Sequence, residues 1–317
     1  MLKKIFILSL IFLILLSACT HSNNQQKNDK KQTIKIGYLP ITHSANLMMT
    51  KQIQQQTQHS NYKLELVKFN NWPDLMDALN SGKIDGASTL IELAMKSKEK
   101  GSNIKAVALG HHEGNVIMGQ KDKTTADFHN HREYSFAIPH RYSTHYLLLE
   151  EMRKQLKLDD DTFSYHEMAP AEMPAALSEH RISGYSVAEP FGALGEKLGK
   201  GHTIKHGSDV IPDAYCCALV LREDLINQHH HVAKTFVSDY KQAGYKMNNK
   251  KLSVDVMNKY FKQDKKVLTQ SAEWTSYGDL TLEKDGYNKI TQLLDEHKLF
   301  KTPDYKDFVD PTLYKEG

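Results

Sequence analysis

The spacing of apolar and polar positions divides the chain into three stretches of different character. Lys3 and Lys4 precede an apolar run from Ile5 to Leu16. That run falls short of the about 20 apolar residues a membrane-spanning helix needs, but it has the size of a signal-peptide core, so residues 1–18 are expected to be removed. From Thr20 to Thr33 the sequence THSNNQQKNDKKQT holds no aliphatic or aromatic side chain, which predicts a solvated tether over 19–33. At about 3.5 Å per residue it could hold a folded body up to roughly 50 Å from its attachment point. From Ile34 onward, short apolar runs alternate with helical periodicity. Ile34 to Tyr38 and Leu64 to Val67 read as strands, Ser44 to Gln55 as a helix, and Pro73 to Leu79 as a helix closed by Gly82, since proline in a first turn and glycine past the last are the expected asymmetry. Tyr215 to Leu221 is a strongly apolar strand. Beyond Glu223 the pattern is mostly helical, with periodic segments near His231 to Met247 and Leu282 to His297. Repeated strand–helix units predict an α/β sheet.

The body also echoes itself. Ala78 to Ser88 and Ala176 to Ser186 share the pattern A-L-x-x-x-[KR]-I-x-G-x-S, and upstream of each lies Pro-x-x-x-Ser, at Pro40 to Ser44 and at Pro139 to Ser143. Strand, Pro-x-x-x-Ser, helix and A-L…G-x-S recur in the same order, which implies two lobes of like design. The expected division is 34–113 with 217–317 for the first lobe and 114–216 for the second.

Composition narrows the partners. The 317 residues are 40% apolar, enough for two cores of ordinary domain size. Against 38 Asp and Glu stand 41 Lys and Arg, a net charge of +3, and without Lys3 and Lys4 the balance is 39 against 38. A near-neutral chain with no basic block argues against nucleic acid, whose phosphates demand clustered cations. The three cysteines, Cys19, Cys216 and Cys217, are too few for a disulfide scaffold.

Candidate chemistry gathers at the repeated turns. In α/β sheets a ligand lies off the carboxyl ends of the strands, where helix amino termini present unpaired N–H groups and the positive end of the macrodipole. Thr42, His43 and Ser44 open one such helix, Ser143, Thr144 and His145 open its counterpart, and Ser88 and Thr89 end a neighbouring strand. Hydroxyls and amides in this setting suit a small oxyanion. Ser44 and Ser143 can equally act as N-caps, worth about 1 kcal/mol each. Glu189 precedes Pro190, which biases it to an extended strand end with Pro190 as first residue of the next helix. Its carboxylate could cap that helix, hold His145 protonated, or meet an ammonium on a zwitterionic ligand; the cap is the simplest of the three.

Leu16-Ser17-Ala18-Cys19 resembles the lipobox of bacterial lipoproteins, which implies cleavage before Cys19, a diacylglycerol thioether on its thiol and further acylation, such as palmitate. Two or three acyl chains anchor durably without spanning the bilayer. IKIGYLPITHSANLM, ALNSGKIDGAS, RYSTHYLLLEEM, ALSEHRISGYSVAEPFGAL and YCCALVLRED together resemble the nitrate/sulfonate/taurine/bicarbonate group of ABC-transporter substrate-binding proteins, from about Ile34 to about Tyr245. The resemblance implies the type II periplasmic-binding fold: two α/β lobes, two hinge crossings and one ligand in the cleft. It also implies a Ser-Thr-His ligand turn at Ser143, Thr144 and His145, a Gly-Glu-Pro-Trp equivalent at Ala188-Glu189-Pro190-Phe191, and delivery to a permease and ATPase on other chains. The chain departs from the group at Phe191 and at His43, where aspartate is common. The implied protein is a monomer on the outer face of a membrane, anchored through Cys19 in a Gram-positive style of envelope. It uses no cofactor or resident metal and carries an aliphatic sulfonate first, nitrate or bicarbonate next.

Three other readings stay open. The 17 histidines, with clusters at His111-His112, His129/His131 and His229-His230-His231, allow a metal-uptake protein, although these clusters lie in polar loops and helix starts where most are expected to be solvated. A pyrimidine precursor of thiamine, bound by related proteins, is the second. The third is a serine hydrolase, because Gly184-Tyr185-Ser186-Val187-Ala188 approaches the G-x-S-x-G elbow; the final glycine is missing, and the same G-x-S at Gly86-Ala87-Ser88 favours a repeated structural unit. No Walker A spacing occurs near Gly195 to Gly201. Cys216 and Cys217, in an apolar strand, read as small buried hydrophobes, and Trp72, Met48 and Met49 as packing residues.

Overall fold

The structure is a computed structural model that describes residues 31–58, 60–130 and 132–315. The signal segment 1–18, Cys19, most of the tether and His131 lie outside the described residues. Ten strands form two five-stranded sheets and two short strands form a third. In chain order they are β1 Gln32–Tyr38, β2 Tyr62–Lys68, β3 Gly86–Leu90, β4 Ile104–Leu109, the short β5 His112–Glu113, β6 Asn115–Gln120, β7 Tyr134–Ile138, β8 Phe163–Glu167, β9 Gly184–Ala188, β10 Gly201–His206, β11 Cys217–Arg222 and the short β12 Thr275–Ser276.

The first sheet runs β2-β1-β3-β11-β4 and the second β8-β7-β9-β6-β10. In each, the first three strands are parallel. The fourth is antiparallel to both of its neighbours. That fourth strand is contributed across the molecule: β6 follows a crossing out of the first sheet and β11 follows the return from the second. Two α/β lobes joined by two crossings result, as the echoed sequence predicts.

The echo has a physical cause. Gly86 and Gly184 occupy equivalent places in the central strands β3 and β9, where an added Cβ would lie 2.6 Å from Val220 O and 2.3 Å from a Phe136 ring carbon. Neither lobe has room there for a side chain. The preceding turns also match, with Gly82 at φ +74° and His180 at φ +56°. Glycine adopts that left-handed conformation freely, whereas His180 does so under strain.

Helices follow the predicted periodicities. Residues Ala45–Gln56 form the first long helix, Trp72–Asn80 the next, capped by the Asn71 side chain with Pro73 in its first turn. In His230–Met247 the stripe Ala233, Phe236, Val237, Tyr240, Ala243, Gly244 and Met247 is buried, the spacing of one helical face. Asn46 Nδ2 donates to Tyr240 O at 2.9 Å and ties that face to the first helix. Trp72, Met48 and Met49 lie in the core. One local expectation is corrected: the Glu189–Pro190 bond is cis and Pro190 precedes the helix Phe191–Lys197 instead of starting it.

The lobes touch across the cleft. Thr42 N donates to Glu189 O at 2.7 Å, Ser271 Oγ donates to Glu189 Oε2 at 2.8 Å, and Thr144 of the second lobe meets Glu92 of the first. The molecule is shut.

Candidate functional site

All nine residues the sequence nominates for a ligand are buried: Thr42, His43, Ser44, Ser88, Thr89, Ser143, Thr144, His145 and Glu189 have at most 1% of their surface exposed. Their roles differ. Behind β1 the chain makes a 3-10 turn, Thr42–Ser44, before the helix begins. This turn aims His43 into the cleft, while Ser44 Oγ donates to Ser88 Oγ at 3.2 Å and Ser88 Oγ to His43 O at 3.4 Å. Ser44 therefore makes no side-chain cap, contrary to the N-cap expectation. Thr42 Oγ1 accepts from Thr275 Oγ1 at 3.0 Å, and Tyr277 OH donates to Thr42 O at 2.8 Å.

In the second lobe Ser143 is extended, at φ −154° and ψ 150°, and caps as expected. Its hydroxyl accepts from Tyr146 N at 3.2 Å and donates to His140 O at 2.6 Å. Thr144 Oγ1 reaches Glu92 Oε1 and also Tyr215 O at 2.6 Å. A hydroxyl has one proton, so both contacts are satisfied only while the Glu92 carboxyl carries a proton of its own. His145 has no hydrogen-bond partner at either ring nitrogen. Thr89 stands apart: its hydroxyl meets Met76 Sδ at 3.4 Å, on the strand face opposite Ser88.

Glu189 Oε2 accepts from Ala193 N at 3.1 Å as well as from Ser271, so it caps its helix and also ties it to the helix Lys265–Trp274. Its Oε1 is buried without a partner. Burial drives its carboxyl up to about 7 against those hydrogen bonds, and burial alone drives Glu92 to about 7 in the same way. The idea that Glu189 keeps His145 protonated is not supported: desolvation pushes His145 down to about 3 and holds it neutral.

Around His43 a tighter group forms. One ligand atom from each of His43, His111, Cys216 and Cys217 lies within 4.8 Å of the others, all buried. The His43 and His111 rings stack at 3.2 Å between centroids, tilted by 10°, and His145 lies 6.4 Å from His43. Cys216 Sγ is 3.7 Å from His43 Nδ1 and 3.9 Å from Cys217 Sγ, and both thiols are free. His43 Nε2 bonds to Gly114 O at 3.2 Å and His111 Nδ1 to Glu113 O at 2.6 Å. The second contact fixes the His111 ring and leaves its Nε2 buried with no partner. Burial, reinforced by neighbouring imidazoles, pushes His43 well below its usual value and His111 to about 3. Both rings are neutral, the form in which imidazole ligates a metal. Burial raises the Cys216 thiol far above its usual range, a cost that a bound cation reverses. Two imidazoles and two thiols at this spacing fit a four-coordinate soft divalent ion.

The sequence undervalued three of these four donors. His111 is 4% exposed, not solvated, and the Cys216–Cys217 pair is buried as expected but faces imidazole. Glu92 was missed altogether. The signals were present as a His-His pair, a Cys-Cys pair and an acid in the turn after β3; what the sequence lacked was their convergence. His229 to His231 are exposed, as is His129. Ser186 lies inside β9 with its hydroxyl buried and unpartnered among the described residues, not on the strand-to-helix turn that a nucleophile elbow occupies.

The NMT1-like family profile matches residues 27–258, most of the chain. The chain belongs to the NMT1-like family. Among solved structures, this NMT1-like chain is 73% identical to a ligand-binding component of an ABC-type import system from Staphylococcus aureus with zinc bound, covering 90% of this chain and 98% of that one at a TM-score of 0.89. It shares its fold with the periplasmic nitrate-binding protein NrtA of Synechocystis PCC 6803, at 16% identity over 90% and 88% of the two chains and a TM-score of 0.81. It is also 23% identical over 224 residues to the bicarbonate transport ATP-binding protein CmpC of Synechococcus elongatus, 64% of this chain. The NMT1-like chain spans about a third of the length of the curated relatives it matches first, 34% for CmpC. None of its described helices is long and apolar enough to cross a membrane.

Proposed function

We propose that this chain is the extracytoplasmic solute-binding subunit of an ABC importer, tethered to the membrane through Cys19, and that its cargo is a soft divalent metal ion of the zinc class. The observation that carries the reading is the buried group of His43, His111, Cys216 and Cys217, with four ligand atoms within 4.8 Å of one another. Within this group His111 Nε2 is buried with no partner, a polar atom that is costly to bury unless something such as a cation uses it. The zinc-bound relative at 73% identity supports the same choice.

A small oxyanion, with an aliphatic sulfonate ahead of nitrate or bicarbonate, is the second reading. The helix start at Thr144 and the unpartnered His145 ring favour it. Against it, the hydroxyls of Ser44, Ser143 and Thr144 already serve protein partners, and the cleft holds the buried carboxyls of Glu92 and Glu189. The deciding measurement is a thermal melt of chelator-stripped protein with zinc, nickel, copper, taurine, ethanesulfonate, nitrate or bicarbonate. Free ion at about 100 times Kd stabilises by about 2.7 kcal/mol, so zinc should raise the midpoint by several degrees. A shift with an anion and none with any metal would overturn the metal reading.

A further inference from the structure

With the lobes shut, His43, Cys216 and Cys217 are at most 1% exposed, and only His111 of the four donors retains 4%. His111 also lines a cavity of about 190 Å³, which shares Tyr215 with the lobe-to-lobe contacts. Both crossings line this cavity together with the second-lobe helix Gly207–Val210: His111, His112, Glu113 and Asn115 come from one crossing, Asp213 and Ala214 from the other, with Tyr215 leading into Cys216. Its two ends differ in chemistry. At the outer end Glu113 and Asp213 are exposed, both in the left-handed backbone region at φ +56° and +55°. At the inner end His111 Nε2 and Asn115 Oδ1 are buried acceptors with no partner. The lobes themselves meet through direct hydrogen bonds from Thr42 and Ser271 to Glu189 and from Thr144 to Glu92 and Tyr215.

We infer that this hinge-side cavity is a passage through which a divalent cation reaches His111, and from there the four-donor site, while the lobes stay closed. The inference rests on the metal reading above. Exposed carboxylates beside the cavity concentrate a cation and speed its association, and the two unpartnered buried acceptors, His111 Nε2 and Asn115 Oδ1, can take the place of its water. Opening of the whole clamp is then unnecessary for loading.

A passage has a kinetic signature, since obstructing it slows arrival and departure together while the bound state keeps its energy. The test is stopped-flow exchange of zinc between a chromophoric chelator and the full chain, in wild type, Ala214→Trp, which fills the cavity, and Glu113→Gln/Asp213→Asn, which strips the mouth of charge without changing its shape. The passage predicts that Ala214→Trp lowers both rates about tenfold with Kd changed less than twofold. It predicts that the charge variant lowers the association rate several-fold and flattens its dependence on salt. Should Ala214→Trp misfold, the charge variant decides alone. Unchanged association rates in a folded variant overturn the passage and leave the metal site standing. Absence of any saturable zinc signal in wild type overturns the metal reading and the passage together.

Discussion

The two lobes carry the same sequence echo on the same five-strand order, yet the equivalent turns do different jobs. In the first lobe Thr42–Ser44 winds into a 3-10 turn, Ser44 bonds to Ser88, and His43 enters the donor group. In the second, Ser143 stays extended and spends its hydroxyl on the helix, Ser186 is left unpartnered, and His145 stands 6.4 Å from His43 with both nitrogens free. All four soft donors belong to the first sheet, its turn or the crossings; the second lobe adds Thr144, His145 and Glu189 around them. A duplicated scaffold therefore fixes where helix starts converge and leaves each turn free to take on its own chemistry.

The sharpest way to break this asymmetry is to exchange the histidines. His43→Ala should weaken zinc binding by about three orders of magnitude, as expected for loss of a metal ligand that leaves a buried site incomplete, while His145→Ala should cost tenfold or less; competition against a chelator of known affinity measures both. Equal losses would make the second lobe a full partner in coordination. Next in size, Gly86→Ala and Gly184→Ala should each destabilise by about 1–3 kcal/mol through overpacking, read by urea unfolding. Here the lobes should behave alike, because a strand carbonyl crowds each position, Val220 O at Gly86 and Met118 O at Gly184.

Two effects depend on pH. Capture must expel the Cys216 proton, since its thiol is raised by burial, so the logarithm of the apparent zinc affinity should rise by about 1–2 per pH unit between pH 6 and 8; titration calorimetry in buffers of different ionisation enthalpy counts the protons. Glu92 and Glu189, each raised to about 7, favour the fold in their protonated form. That contribution is complete below the ordinary glutamate value and disappears as pH rises through about 7. The melting temperature of metal-free protein should therefore fall between pH 5 and 8, and Glu92→Gln, which keeps a donor toward Thr144 permanently, should flatten the fall. The smallest effect is at the turns: Ser143→Ala should cost about 1 kcal/mol as a lost cap, and Ser44→Ala less, since it caps nothing.

Much of the fold was legible because it rests on local rules. Periodicity placed β1, β2 and the helices Ala45–Gln56, Trp72–Asn80 and His230–Met247, and the repeated A-L…G-x-S announced the second lobe. The site was legible only in part. Pro-x-x-x-Ser identified both helix starts, but the difference between a 3-10 turn and an extended cap depends on Ser88, Thr275 and Tyr277, far along the chain. Thr89 was misplaced because adjacent strand residues face opposite ways. His111 and Cys216 were set aside because each, taken alone, has a plain reading as loop or core; they meet only after the chain has left the first sheet and come back, 105 positions apart in sequence.

Of the four donors, His111 and Cys216 sit on the very backbone that must bend if the halves swing apart, whereas His43 and Cys217 ride on the first lobe. If these four donors hold a cation, any force that pries the molecule open would twist its coordination as well. Unloading would need neither acid nor a reductant, only torque.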